Sequence, residues 1–123
     1  NRVNYEELQD ELIDRFGEYP DVVAYLLEIG LAKAYLDKVF VNRVERKNNK
    51  LVIQFEKISQ QLFLTQDYFQ ALSQTNLKAN ISENQGLIEV VFDIRNKKDY
   101  EILEGLLTFG ETLANIKESK ESH

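Results

Sequence analysis

Cysteine is absent from the 123 residues, and histidine occurs once, as the final residue His123. The first absence excludes disulfides, iron-sulfur clusters and thiol catalysis. The second argues against histidine metal sites and against Ser-His-Asp or Cys-His relays, because each needs an imidazole held rigidly inside the fold. Long apolar runs are also lacking. With 29% of residues charged, no stretch reaches the 18 apolar residues that would span a bilayer, so no membrane partner is expected. Basic residues are outnumbered, 15 Lys and Arg against 21 Asp and Glu, and the net charge is -6. Bulk charge of this sign opposes nucleic-acid binding, since phosphate affinity is mostly counterion release by Lys and Arg. The chain opens at Asn1 with neither methionine nor a positively flanked apolar segment, which fits a piece of a longer, cytoplasmic protein.

What is present suffices for a core. Hydrophobic residues make up 43% of the chain and aromatic residues 11%. A chain of this mass should expose about 6,800 Å² folded against about 21,000 Å² unfolded, burying roughly two-thirds of its surface.

The periodicity divides the chain into six elements. Asn4 and Glu7 have the form of a capping box, and Leu8, Leu12, Ile13 and Phe16 recur at helical spacing before Gly17, which predicts a helix over 5–16. Pro20 suits the first turn of a second helix over 20–38, with Val23, Leu26, Leu27, Ala34 and Leu36 as its apolar stripe and Gly30 as a tolerated weak point. The period then becomes two. Residues 41–46 and 51–56 flank Lys47-Asn48-Asn49-Lys50, and Leu51, Ile53 and Phe55 alternate with more polar neighbours, the pattern of a hairpin with one buried face. Helical spacing returns over 59–74 with Leu62, Phe63, Phe69 and Leu72. A second hairpin, 77–82 and 87–94, turns at Glu83-Asn84-Gln85-Gly86 and carries Ile88, Val90, Phe92 and Ile94 on one face. Asn96, with Asp99 three residues on, caps a last helix bearing Leu103, Leu106, Leu107 and Leu113. Hairpins imply antiparallel pairing. The expectation is an α+β fold in one domain over 1–123, with order α-α-β-β-α-β-β-α and helices packed on one face of a four-stranded sheet.

Three features could carry chemistry. Gly105 to Thr112 has the glycine spacing of a P-loop, but Glu111 stands where the phosphate-binding lysine is required and no strand feeds the run, so it reads as a packed helix face. Arg43, Arg46, Lys47 and Lys50 crowd the first hairpin, where residues 41–60 hold five basic and two acidic side chains, the one positive patch the sequence suggests. That patch suits either a phosphate or acidic partner, or a solvated turn whose lysines discourage edge pairing. The first twenty residues hold six acids against Arg2 and Arg15, and Glu7, Glu11 and Asp14 at i, i+4 and i+7 line one side of the predicted 5–16 helix. Such a stripe suits a solvated face near a helix N-terminus or a docking face for a basic partner. Carboxylates on one exposed face do not converge across a cleft as paired-carboxylate hydrolysis requires.

The run Asp10-Glu11-Leu12-Ile13-Asp14-Arg15-Phe16-Gly17-Glu18-Tyr19-Pro20-Asp21 resembles the opening of the C-terminal domain of bacterial transcription-repair coupling factors. The likeness continues through Leu26-Leu27-Glu28-Ile29 and Leu31-Ala32-Lys33-Ala34-Tyr35, and the later order of hairpins and helices is similar. Phe40 departs from the pattern, standing where the family has a glycine that ends the second helix, and the family's domain begins with further helical sequence, which implies truncation at the N-terminal side. The resemblance implies a non-catalytic regulatory domain without a cofactor, belonging to an ATP-dependent DNA translocase that displaces stalled RNA polymerase and recruits excision repair. The motor lies elsewhere in such a parent. The domain is then expected to dock on the parent's UvrB-like domain, masking the surface that recruits UvrA and restraining the motor. Glu11 and Asp14, with Glu7 beside them, are the acids the resemblance assigns to that contact, meeting arginines. Nucleic-acid contact through Arg43, Arg46, Lys47 and Lys50 is the rival reading.

Overall fold

The computed structural model describes residues 21–122, and the predicted 5–16 helix with Glu7, Glu11 and Asp14 lies outside the described residues. Helix α1 (Val22–Lys38) opens at Asp21, whose carboxylate accepts a hydrogen bond from the Ala24 N–H at 3.0 Å. The helix thus starts two residues later than the proline suggests, at a side chain able to satisfy an otherwise orphaned N–H. Its buried residues are Tyr25, Ile29, Ala32 and Leu36, whereas Val23, Leu26, Leu27 and Leu31 are exposed. Four of the five residues expected in its stripe, Val23, Leu26, Leu27 and Ala34, therefore face outward, and Leu36 is buried. The helix is apolar on both flanks, so spacing alone does not select the inward one.

The exit of α1 explains the departure at Phe40. This residue takes a left-handed φ of 67°, its N–H donates to the Asp37 carbonyl at 3.2 Å, and its carbonyl accepts from the Glu56 N–H at 2.8 Å. A glycine would adopt this conformation without the β-carbon penalty. Phe40 holds it with its ring half-buried and the Lys117 ammonium 5.3 Å from the ring centre.

Strands β1 (Val41–Lys47) and β2 (Lys50–Phe55) form a hairpin closed by Asn48 and Asn49, with Asn48 at φ 55°. Strands β3 (Lys78–Asn84) and β4 (Leu87–Asp93) form another around Gln85 and Gly86, both at positive φ. Both loops are two residues long, shorter than the four-residue turns expected, because the strands continue to the residues that must reverse. All pairing is antiparallel in the order β1-β2-β4-β3, with β2 and β4 side by side in the centre. Leu51, Ile53 and Phe55 of β2 and Val90 and Phe92 of β4 project to the helix side, as the alternation predicts.

The expected 59–74 helix is two helices, α2 (Ser59–Leu62) and α3 (Thr65–Ser73), broken by extended backbone at Phe63 and Leu64. The break lets the Phe63 ring enter the core against Tyr68, centroids 5.6 Å apart, and it rotates Phe69 outward while Tyr68, Ala71 and Leu72 turn inward. Asp67 secures the new start: its Oδ2 accepts from the Leu64 N–H at 2.8 Å and from the Lys120 ammonium at 2.6 Å. Helix α4 (Asp99–Glu121) is preceded by Lys98, whose N–H donates to Glu101 Oε1 at 2.9 Å. Asn96, at φ 62°, belongs to the turn instead of capping the helix.

The core lies between the sheet and the helices. Phe109 of α4 meets Phe92 and Phe55 edge-on at 5.5 and 6.2 Å, and Phe55 in turn meets Tyr68 at 5.1 Å. Such edge-to-face pairs add about 0.5–1.5 kcal/mol each beyond area burial. The α+β class is thus observed, with α-β-β-α-α-β-β-α over the described residues.

Candidate functional site

The P-loop-like glycines resolve into packing. Both lie within α4, where a β-carbon on Gly110 would stand 3.0 Å from Tyr35 Cβ and 3.2 Å from Leu36 Cδ2, and one on Gly105 would overlap Leu77 Cδ1. Glu111 accepts a hydrogen bond from the Tyr35 hydroxyl at 3.3 Å, tying α4 to α1. The run forms no phosphate-binding loop, because the backbone N–H groups that would cradle a phosphate are committed to the helix. Among the described residues no group of three His, Cys, Asp or Glu side chains is placed to hold a metal ion, and no helix is long and apolar enough to cross a membrane.

Two faces of the sheet separate the four basic residues of the first hairpin. Arg46 pairs with Leu51 in the register and so points to the helix side, where its guanidinium lies 3.7 Å from Asp99 at the start of α4. Asp99 is buried, which makes Arg46 a tie between sheet and helix. Arg43 and Lys47 share the outer face with Glu45 and approach the same oxygen, Glu45 Oε1, at 3.7 and 3.1 Å. Lys50, also on the outer face, forms no ion pair with a described carboxylate; it is opposite Lys47 on one side and Asp93 on the other.

The structure brings to this end of the sheet cations that lie far away in sequence. The Ile94 N–H donates to the Asn49 carbonyl at 2.9 Å, seating the loop after β4 against the tip of the first hairpin. That loop carries Arg95, Lys97 and Lys98, and Lys78 begins β3 in register with Asp93. Lys50, Lys78 and Arg95 line a shallow depression of about 300 Å³ together with Asn49, Asn80 and Asp93. The first hairpin is therefore not the sole positive patch, as the sequence reading had it: Arg95 to Lys98, three basic residues in four, was legible as a run, but its proximity to Lys50 was not.

Farther along the outer face the polar groups are mutually satisfied. Asn42 Nδ2 donates to Gln54 Oε1 at 2.7 Å, Gln54 Nε2 donates to Glu89 Oε2 at 3.0 Å, and Asn84 Nδ2 donates to the same oxygen at 3.3 Å. Glu89 is thereby buried with its charge accommodated, so this region acts as a scaffold.

The TRCF domain family matches residues 1–66, a span that holds the acidic segment. No curated protein matches the chain significantly. Among solved structures, a crystal structure of the C-terminal domain of a transcription-repair coupling factor is similar at 79% identity, covering 94% of this chain and 71% of its own, with a TM-score of 0.77.

Proposed function

Because the chain belongs to the transcription-repair coupling factor family and corresponds to its C-terminal domain, we propose that it is a non-catalytic autoinhibitory module of a cytoplasmic, ATP-dependent DNA translocase acting in transcription-coupled repair. It docks on the parent's UvrB-like domain, masks the surface that recruits UvrA and restrains the motor, while RNA polymerase and DNA are engaged by other parts of the parent. The observation that carries this reading is the coincidence of the family match with the acidic stripe: residues 1–66 include Glu7, Glu11 and Asp14.

Glu11 and Asp14 stand three residues apart, which on a helix places them as neighbours able to engage adjacent arginines together. A carboxylate meeting a guanidinium forms paired, charge-assisted hydrogen bonds, geometrically specific yet reversible. An interface built on charge is released when another partner or a rearrangement takes the arginines away, as a regulatory contact requires.

The test is charge reversal of both residues in the full-length parent. Reversing one side of a desolvated charge pair strands the other, so docking should weaken by about 2–5 kcal/mol. UvrA binding and basal ATP turnover should rise, with the motor sequence untouched. Unchanged UvrA affinity and turnover, with folding confirmed by circular dichroism, would remove these residues from the mechanism.

A further inference from the structure

We propose that the basic end of the sheet is a second interaction surface, one that holds the phosphate backbone of a nucleic acid through Lys50, Lys78, Arg95, Lys97 and Lys98. It is independent of the docking reading above, which rests on the opposite charge and on other residues.

Lys50, Lys78 and Arg95, from three stretches of chain, line the depression and Lys97 and Lys98 follow Arg95 in the same loop; none of the five forms an ion pair with a described carboxylate. Four are exposed and Lys97 is half-exposed. Lys50 and Lys78 flank Asp93 in one row across β2, β4 and β3 on the face away from the helices. Two inter-strand steps separate them, roughly 10 Å. Asp93 is the one acid lining the depression, and its Oδ1 accepts the Arg95 backbone N–H at 3.0 Å, which fixes the loop that carries Arg95. In a chain of net charge -6, such a concentration is a local reversal of sign that would orient an approaching polyanion.

The lining favours phosphates over a protein partner. Protein interfaces are depleted in lysine and anchored by large apolar or aromatic side chains. Here the apolar lining is Ala79 and Val91 alone, and the amides of Asn49 and Asn80 complete a surface of donors. No aromatic side chain lines the depression, so bases have nothing to stack on and the contact is to the backbone, independent of sequence.

The experiment is fluorescence anisotropy of the 123-residue chain with a labelled 20-base-pair duplex from 50 to 200 mM salt. Five neutralised phosphates should give a slope of log K against log salt of about -4.5, a loss of several hundred-fold over that range. K50Q/K78Q/R95Q should bring the slope to about -2, since each lost phosphate contact removes roughly one unit. Arg43→Gln, on the same face but paired with Glu45, should leave it unchanged. The proposal is overturned if the duplex does not bind at 50 mM, if the triple variant, folded by circular dichroism, keeps the wild-type slope, or if poly-L-glutamate competes better than unlabelled duplex at equal charge.

Discussion

Glycine-to-alanine substitution should have opposite effects in α1 and α4, and the magnitudes follow from what surrounds each residue. Alanine in a helix interior is favoured over glycine by about 0.8–1.0 kcal/mol, because glycine loses more backbone freedom on folding. At Gly30 an added β-carbon meets no atom of the described residues within 4 Å, so Gly30→Ala should realise that whole gain. At Gly110 the β-carbon would stand 3.0 Å from Tyr35 Cβ, an atom that moves only with the backbone of α1, and 3.2 Å from Leu36 Cδ2 in a side chain with no exposure. Overpacking of this kind costs typically 1–3 kcal/mol, so after the helix gain the net effect of Gly110→Ala is a loss of about 0–2 kcal/mol. Gly105→Ala falls between them, because Leu77 is overlapped only at its flexible end and borders a depression of about 180 Å³ into which it can turn. Urea denaturation followed by circular dichroism reads all three, and 1 kcal/mol should move the melting temperature by about 3–5 °C in a chain of this size. A gain for Gly110→Ala equal to that for Gly30→Ala would refute the close approach of α1 and α4, and with it the packing role of Gly110.

Asp67→Ala removes an acceptor of both Leu64 N–H and Lys120, and should cost about 1.5–3 kcal/mol in urea melts, a lost cap plus a partly buried cation that loses its carboxylate and keeps only the Leu62 carbonyl; a loss below 0.5 kcal/mol would show that the α2–α3 break does not depend on it. Phe40→Gly should be more stable than Phe40→Ala by about 1 kcal/mol in thermal unfolding, because both lose the ring but only alanine keeps a β-carbon at φ 67°; alanine equal to glycine would contradict this. Burial chiefly, and then the nearby Asp67 charge, hold the Tyr68 hydroxyl above the usual tyrosine value, outweighing the opposite pull of its hydrogen bond to Ser59. The folded state therefore retains this proton more tightly than the unfolded one, and stability should be full below about pH 10 and fall as pH rises beyond it. Tyr68→Phe should flatten that decline in pH-dependent urea titrations, and an unchanged slope would exclude Tyr68 as its source.

Most of the fold could be read from local pattern, since Leu51, Ile53 and Phe55 and then Val90, Phe92 and Ile94 alternate without interruption. Where local pattern and structure differ, most of the causes are partners distant in sequence. No glycine or proline marks the break at Phe63 and Leu64; it rests on Asp67 and on Lys120, 53 residues away, contacts that periodicity cannot see. The inward flank of α1 was ambiguous because both flanks are apolar, and tertiary packing selected Tyr25 and Ile29. Asn96 had the residue type of a helix cap but serves a turn, while Glu101 reaches back to Lys98. At the basic hairpin the residue types were legible and their company was not. Register turns Arg46 inward to Asp99, Glu45 engages Arg43 and Lys47, and one hydrogen bond from Ile94 to Asn49 delivers the cations that join Lys50.

Calorimetric titration of this chain against the separately prepared UvrB-like domain of its parent tests the central claim most directly. Saturable binding that weakens with salt and is lost on charge reversal of Glu11 and Asp14, but survives K50Q/K78Q/R95Q, is the result predicted. Binding that is absent, or that survives the acidic reversal in a folded variant, would contradict docking through the acidic stripe.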